Sequence, residues 1–303
     1  MGPTLRVPFP SLSSDNWLTW GAAGHIYGIS ANIVLKCPTI LNNPVPGQIK
    51  MVEESIGKIE AEKAVYRVLM ESPHPYILQC ILCVPEGIFL RRMESTLAAR
   101  LSCTQGAAIP PETQERWVWQ LASALTWLER LGFVHGDLHP GNILLDGNED
   151  IRVADFDTAV RLGDELQAAS EPFCKMDKKF KTPLAGPVTE QFSFASCVYN
   201  IRFAQWPWHN LEERDRVQRM ARNEFPPVSE DLLFGEVMMK AWHGEYGSMA
   251  AVEEDVLTRL GRTMAEGEAL RLEALSKGDV QLYQTLRAEC EEFIAKEALK
   301  ARR

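Results

Sequence analysis

Apolar and polar residues follow a strand-like pattern over the first third of the chain. The run WLTWGAAGHIYGISANIVLKCP, residues 17–38, predicts two short strands joined around residues 30–32, with the second ending at Lys36. Apolar β-branched runs within YILQCILCV and GIFLRRM predict two more strands. Between these pairs, residues 53–71 have helical periodicity, which places Ile59, Lys63, Tyr66 and Met70 on one stripe with Glu62 beside it.

Helical periodicity dominates after residue 110. Pro110 and Pro111 form a helix start, and apolar residues then recur at helical spacing as far as Gly132. Residues 190–208 are apolar nearly all round and predict a buried central helix, while 214–223 and 231–242 predict two shorter ones. The charged tail carries an apolar stripe formed by Leu282, Leu286, Cys290 and Phe293.

The change from strands to helices predicts an α+β fold with a small β-rich N-lobe and a larger helical C-lobe. We expect a flexible leader over 1–15 and a core domain over 16–262. Its N-lobe is expected over 16–92 and its C-lobe over 93–262. A helical C-terminal extension, 263–303, is expected to pack on the larger lobe.

Composition restricts the classes of partner. The 303-residue chain has a formal charge of -9, which disfavours general binding to nucleic acid or anionic membranes. Its seven cysteines include a single CxxC, at Cys80 and Cys83, without a second pair to complete a zinc site. The sequence therefore predicts reduced thiols and an intracellular protein, cytoplasmic or nuclear, without a membrane span.

The candidate chemistry lies in the stretch FVHGDLHPGNILLDGNEDIRVADFDTAV, residues 133–160. Asp137 and Asn142 are five residues apart in one loop, and Asp155 follows the predicted strand IRVA. Phosphoryl transfer requires a carboxylate that orients the attacking hydroxyl and oxygen ligands that hold a divalent cation. The pattern assigns the first role to Asp137 and the second to Asn142 and Asp155.

These motifs resemble the eukaryotic protein kinase superfamily, in particular the divergent kinase-like domains of filamentous fungi, from about residue 17 to residue 260. The resemblance implies ATP and Mg²⁺ or Mn²⁺ as cofactors. It also implies that Lys36 grips the nucleotide phosphates and that Glu62 is its helical partner. By the same matching, the nucleotide would contact Gly21 and Gly24 in a glycine loop, Ile26, Val34 and Leu144 around the adenine, and a hinge over residues 91–93 that includes Arg92 and Met93.

The chain departs from the family pattern at several positions. Thr19 replaces the first loop glycine, Gly136 replaces the arginine of HRD, and Asp157 replaces the glycine of DFG. His139 stands where serine/threonine kinases have a lysine, and Glu190 stands where an anchoring aspartate is usual. We expect these changes to slow turnover and to remove control by loop phosphorylation.

Three functions therefore stay open. The first is transfer of the ATP γ-phosphate to a serine or threonine of a protein substrate. The second is a pseudokinase scaffold that binds a partner protein with weak or no catalysis. The third is phosphorylation of a small molecule, because HGDLHPGN is also similar to aminoglycoside and choline kinase-like phosphotransferases.

Overall fold

The computed structural model describes residues 2–103, 109–276 and 279–300, which divide into two compact units. The first unit is formed by the described parts of Met1–Pro73, Leu78–Arg92 and Ala274–Arg303. The second is formed by the described parts of His74–Ile77 and Met93–Glu273. The first unit contains β-strands and two long helices, whereas the second is mainly helical.

The first unit is built on an antiparallel sheet. The strands of this unit are β1 (Thr4–Leu5), β2 (Trp17–Trp20), β3 (Gly24–Gly28), β4 (Ile33–Pro38), β5 (Leu41–Asn42), β6 (Cys80–Val84) and β7 (Gly87–Arg91). The main sheet has the order β2-β3-β4-β7-β6, and β1 pairs separately with β5. The predicted turn around residues 30–32 joins β3 to β4. A further hairpin joins β2 to β3, where the sequence predicts a single strand.

Helix α1 (Pro46–Glu71) packs against this sheet. It begins seven residues before the predicted start, because Pro46 occupies the first helical turn, where a fixed φ and a missing N–H cost nothing. Of the predicted stripe, Met70 is 41% exposed, and the adjacent Leu69 is buried instead. The buried line runs through Ile59, Glu62, Tyr66 and Leu69 at steps of three and four residues, which is the helical repeat.

The two ends of the described chain also belong to this unit. Phe9 and Leu12 are buried in its core, so the leader is packed rather than flexible. The long last helix α9, which starts at Asp279 and is numbered below with the other helices, buries Leu286 and Cys290 in the same cluster. The Phe9 and Phe293 rings meet edge to face at 5.3 Å. The expectation that the tail packs on the larger lobe is therefore wrong for α9.

Helices form most of the second unit and cover its small sheets. The helices that follow α1 are α2 (Leu97–Ser102), α3 (Pro111–Arg130), α4 (Pro187–Phe203), α5 (Glu213–Ala221), α6 (Gly235–His243), α7 (Met249–Arg259), α8 (Met264–Ser276) and α9 (Asp279–Lys300), the last of which lies in the first unit. Helix α4 is buried on nearly all sides, as predicted for the central helix. No helix among the described residues is long and apolar enough to cross a membrane.

Short strands position the loops of the second unit. They are β8 (Ser95–Thr96), β9 (Phe133–Val134), β10 (Ile143–Leu145), β11 (Ile151–Val153) and β12 (Val160–Arg161). In the β10–β11 hairpin Ile143 is paired with Val153, so residues 142 and 154 are neighbours. Strand β9 pairs with β12, which brings the loop after β9 beside the loop before β12. The strand-rich first unit and helical second unit confirm the predicted α+β class.

Candidate active site

Lys36 and Glu62 form a buried ion pair within the first unit. Lys36 Nζ lies 2.6 Å from Glu62 Oε2, and their side chains are 9% and 1% exposed. Lys36 lies on the central strand β4 and Glu62 on α1, which packs against that strand. A buried pair of this kind holds the ammonium group in one position, because separating the charges would leave an uncompensated charge out of water.

The glycine loop is the turn between β2 and β3. Gly21 donates its N–H to the Gly24 carbonyl at 2.9 Å, which closes the turn. A Cβ at Gly24 would lie 2.1 Å from the carbonyl oxygen of Cys37, so no larger residue fits against β4. Ser55 of α1 holds the turn, since its Oγ donates to the Ala23 carbonyl at 2.6 Å.

Part of the predicted nucleotide set lies on one face of the main sheet. Lys36 is paired with Ile26 across β3, and Val34 lies two residues before Lys36 on β4, so all three share a face. At the predicted hinge, the Arg92 N–H is bonded to the Asn32 carbonyl at 2.7 Å, so this N–H is not a free donor for a ligand.

Two of the predicted nucleotide contacts fall in the second unit. Met93 is the first residue of Met93–Glu273, the longer of the two segments that form the second unit. Leu144 is paired with Thr96 in the sheet of β8, β10 and β11. Both side chains are half-buried.

Asp137 and Asn142 are held together within the loop that follows β9. Asn142 Nδ2 donates to the Asp137 carbonyl at 2.9 Å, and the Asp137 N–H approaches His135 Nδ1 at 3.3 Å. The Asp137 side chain is 19% exposed. Its Oδ1 is buried and accepts no hydrogen bond among the described residues. A buried oxygen without a partner is costly, so this atom is suited to accept a proton donor from a bound ligand.

Asp155 directly follows Ala154, which is hydrogen-bonded to the loop that contains Asp137 and Asn142. The Ala154 N–H donates to the Asn142 carbonyl at 2.9 Å, and His135 Nε2 lies 2.9 Å from the Ala154 carbonyl. His135 is fully buried, and burial lowers the pKa of its imidazole, which favours the neutral ring with its proton on Nε2. Asp155 itself has a left-handed backbone with φ of 67°.

Asp157 does not adopt the positive φ that a glycine at this position would allow. Positive φ occurs instead at Asp155 and not at Asp157, whose side chain is buried. The preceding residue, Phe156, is fully buried and packs against the His135 ring at a centroid distance of 5.4 Å.

Glu190 anchors the loop from α4. Its Oε2 accepts the N–H of His135 at 3.0 Å, and its carboxyl also bonds the N–H of Gly136. Complete burial raises the pKa of Glu190 to about 7, although these N–H donors act to lower it. The sequence located this residue only by its position in the family pattern, and its chemistry depends on burial, which spacing does not show.

His139 has a fixed orientation. Its Nδ1 accepts the Gly141 N–H at 3.0 Å, which leaves Nε2 to carry the proton of the neutral ring. That Nε2 lies 3.9 Å from Asp137 Oδ2. A donor is thus presented beside the Asp137 carboxylate, at the position where the resemblance places a lysine.

The donor set fits a hard divalent cation in its chemistry. Asn142 uses its amide nitrogen within the loop, which leaves its amide oxygen for a ligand, and Asp155 supplies a carboxylate. Mg²⁺ is commonly held by one or two such protein oxygens together with phosphate and water. Among the residues that the structure describes, no cluster of three or more His, Cys, Asp or Glu side chains forms an all-protein metal site.

Comparison with known proteins decides the family. The model of the protein kinase domain matches residues 48–230, more than half of the chain. The chain belongs to the protein kinase family. Membership in this family implies the two-lobed kinase fold and, in general, the use of ATP with a divalent metal.

Individual relatives of this chain are distant. A dual specificity protein kinase pyk3 from Dictyostelium discoideum is 24% identical over 214 residues, which cover 68% of this chain and 16% of the relative. The discoidin domain-containing receptor tyrosine kinase B of Caenorhabditis elegans is 26% identical over 212 residues, 59% of this chain and 25% of the relative.

A serine/threonine-protein kinase MRCK gamma from Mus musculus is 29% identical over 111 residues, 33% of this chain and 7% of the relative. The chain thus spans a quarter or less of the length of these three relatives. Their names cover three acceptor classes, so the likeness alone does not select one.

Proposed function

We propose that this chain transfers the γ-phosphate of ATP to a serine or threonine hydroxyl of a protein. The observation that carries the proposal is the loop geometry around Asp137. Asn142 fixes the backbone of Asp137 at 2.9 Å, and Glu190 anchors the preceding residues, so the carboxylate is pre-positioned. A carboxylate that positions the attacking hydroxyl is one of the contributions that phosphoryl transfer requires of the protein.

Each residue of the set has a distinct task in this proposal. Asp137 orients the acceptor hydroxyl and accepts its proton, and Lys36, held by Glu62, binds the phosphates. Asn142 and Asp155 would hold Mg²⁺, which when bound neutralises the charge that develops on the phosphate oxygens. His139 presents Nε2 toward the Asp137 carboxylate and is suited to donate to the transferred group.

A cleft beside the catalytic loop offers room for the side chains of a polypeptide acceptor. It has a volume of about 470 Å³ and lies within the second unit. Its walls are formed by α2, by residues 139–141 of the loop, by Phe173 and by the end of α4 with Trp206. An extended peptide whose hydroxyl meets Asp137 could lay neighbouring side chains in this cleft, which starts two residues further along the loop.

The test replaces Asp137 by Asn, which keeps the shape but removes the base. We expect transfer of labelled γ-phosphate to a serine, threonine and tyrosine peptide library to fall by about 10²- to 10⁴-fold, the usual contribution of a general base. Asp164→Asn, an exposed aspartate in the same unit, is the matched control and should leave transfer unchanged. Equal rates in Asp137→Asn and the wild type would refute the proposal.

The scaffold alternative is favoured by one observation. The buried Asp157 adds a second carboxylate, and with it a negative charge, two residues after the metal-ligating candidate Asp155. A wild-type protein that binds ATP without labelling any peptide would support this alternative.

A further inference from the structure

Cys80 and Cys83 bring two thiols into contact on β6. Residues three apart on a regular strand point to opposite faces, yet the Sγ atoms of this pair lie 3.5 Å apart. The reason is an irregularity in the pairing of β6 with β7, where the register shifts between Cys80 and Leu82. Such bulges turn a side chain to the other face of the strand.

The two thiols differ in access. Cys80 is 5% exposed, and its Sγ also lies 3.7 Å from the carbonyl oxygen of Phe89. Cys83 is half-buried, so a small reagent reaches this sulfur first. The pair thus has an accessible sulfur with a second sulfur directly behind it.

The surroundings favour the thiolate of Cys83. The thiol–thiol contact with Cys80 lowers the pKa of Cys83, and the nearby Arg67 and Lys63 lower it further against the opposing effect of burial. Lys63 is fixed at this place, because its Nζ donates to the Pro85 carbonyl at 3.3 Å. The same thiol–thiol hydrogen bond, together with burial, raises the pKa of Cys80.

Other cysteines lack this environment. Burial raises the pKa to about 12 for Cys37, Cys174 and Cys290. Thiolate character and access together decide where a thiol oxidises, so Cys83 differs from these three.

We propose that Cys80 and Cys83 form a reversible dithiol–disulfide site that reacts with hydroperoxides. In the first step the Cys83 thiolate attacks a peroxide oxygen, the O–O bond breaks, and a hydroxide or alkoxide leaves. In the second step the Cys80 sulfur attacks the sulfenic sulfur of Cys83, the S–S bond forms, and water leaves with the Cys80 proton. The two sulfurs lose two electrons and the peroxide gains them.

The site lies near the phosphate-binding candidate. Ile88 of β7 is paired with Cys83 on one side and with Lys36 on the other, so the redox pair is separated from Lys36 by one strand. Lys63 and Arg67 belong to α1, the helix that carries Glu62. The proposed oxidation therefore takes place in the same sheet-and-helix layer as the Lys36–Glu62 pair.

The experiment treats the full chain with one equivalent of hydrogen peroxide, blocks free thiols and maps peptides by mass spectrometry. We expect a Cys80–Cys83 disulfide, seen as the loss of two hydrogen atoms, that forms about tenfold faster than any change at Cys174 and reverses with dithiothreitol. Cys174→Ser, which removes another half-buried thiol, is the matched control and should not change this rate.

Two variants separate the steps. In Cys80→Ser the sulfenic acid of Cys83 should accumulate, and in Cys83→Ser the fast reaction should disappear. Wild-type Cys83 that oxidises no faster than Cys174, or that reaches sulfinic acid while Cys80 remains a free thiol, would overturn the proposal. The wild-type peptide map decides this even where a variant fails to fold.

Discussion

At the residue scale, Gly136 shows why this chain cannot simply carry the arginine that the kinase pattern has at this position. Its φ is 82°, and a Cβ there would lie 2.5 Å from the carbonyl oxygen of Thr158. The close approach results from the pairing of β9 with β12 on either side of the two loops. The glycine at position 136 thus allows the loop that contains Asp137 to pack against Thr158.

Replacing Gly136 by Ala should destabilise the protein through both the backbone and the clash. Gly163→Ala is a matched control, since Gly163 has φ of 91° but open space around its Cα. The left-handed backbone alone costs an alanine about 1–2 kcal/mol. We expect the free energy of unfolding, measured with denaturant, to fall further in Gly136→Ala than in Gly163→Ala. Equal losses would show that the backbone near Thr158 yields freely.

Glu190 makes stability depend on pH. Its pKa rises from an ordinary 4.5 in the unfolded chain to about 7 in the folded one, so the folded state binds more protons between these values. Stability should therefore fall as pH rises from about 4.5 to about 7, because the native state must then hold a buried charge. Below pH 4.5 Glu190 is protonated in both states, and its stabilising contribution to the free energy of unfolding is fully present.

Glu190→Gln should flatten this slope. The test compares the free energy of unfolding of wild type and variant at several values between pH 5 and pH 8. Glu165→Gln, which changes an exposed glutamate of the same unit, should keep the wild-type slope. A variant slope equal to that of the wild type would mean that other groups cause the pH dependence.

At the element scale, α1 connects the glycine turn to the Lys36–Glu62 pair. Ser55 accepts the Thr39 N–H at 2.7 Å and donates to the Ala23 carbonyl, and Glu62 lies two turns further along the helix. The position of this one helix thus determines both the turn and the ion pair.

Ser55→Ala should loosen that connection. The change leaves the Thr39 N–H and the Ala23 carbonyl without their hydrogen bonds, and a buried polar group left unpaired costs about 1–3 kcal/mol. We expect a lower melting temperature and faster hydrogen exchange at Thr39. Ser14→Ala, at an exposed serine of the same unit, should change neither. Unchanged exchange at Thr39 would contradict this role of Ser55.

Much of the fold could be predicted from the sequence, because helical and strand periodicities record which side of an element is buried. The sequence does not predict the β2–β3 hairpin, because its turn, Gly21 to Gly24, contains two alanines and no polar residue, so the apolar run looks continuous. The apolar stripe of the tail was recognised, but its location was not. A stripe shows that one face will be buried without showing which surface covers it.

The same limit applies to the candidate site. Motif spacing located Asp137, Asn142 and Asp155 in the chain, since the residues of one loop and of the next hairpin are close in sequence. The roles of Ser55 and Glu190 depend on contacts between distant segments. The thiol contact of Cys80 and Cys83 depends on a local irregularity of β6, which alternation of apolar residues does not predict.

At the scale of the whole molecule, ATP with a divalent metal should stabilise the folded chain. Binding to the native state alone raises the free energy of unfolding, by about 2.7 kcal/mol when the ligand is at a hundred times its Kd. We expect a rise in Tm with ATP and Mg²⁺ that is lost in Asp155→Ala and retained in Asp164→Ala. A rise that persists in Asp155→Ala would remove Asp155 from the metal site.

The packing of α9 brings the two ends of the described chain into one hydrophobic cluster. The Ser11 N–H donates to Glu297 at 2.8 Å across 286 positions of sequence, and Phe9 and Phe293 complete one cluster. A recombinant fragment cut to the family match at 48–230 would discard β2, β3 and β4 with Lys36, and also α9. Even a fragment that kept the strands but ended at residue 262 would lose Phe293, which packs on Phe9 and Phe89, and the apolar surface newly exposed to water invites aggregation.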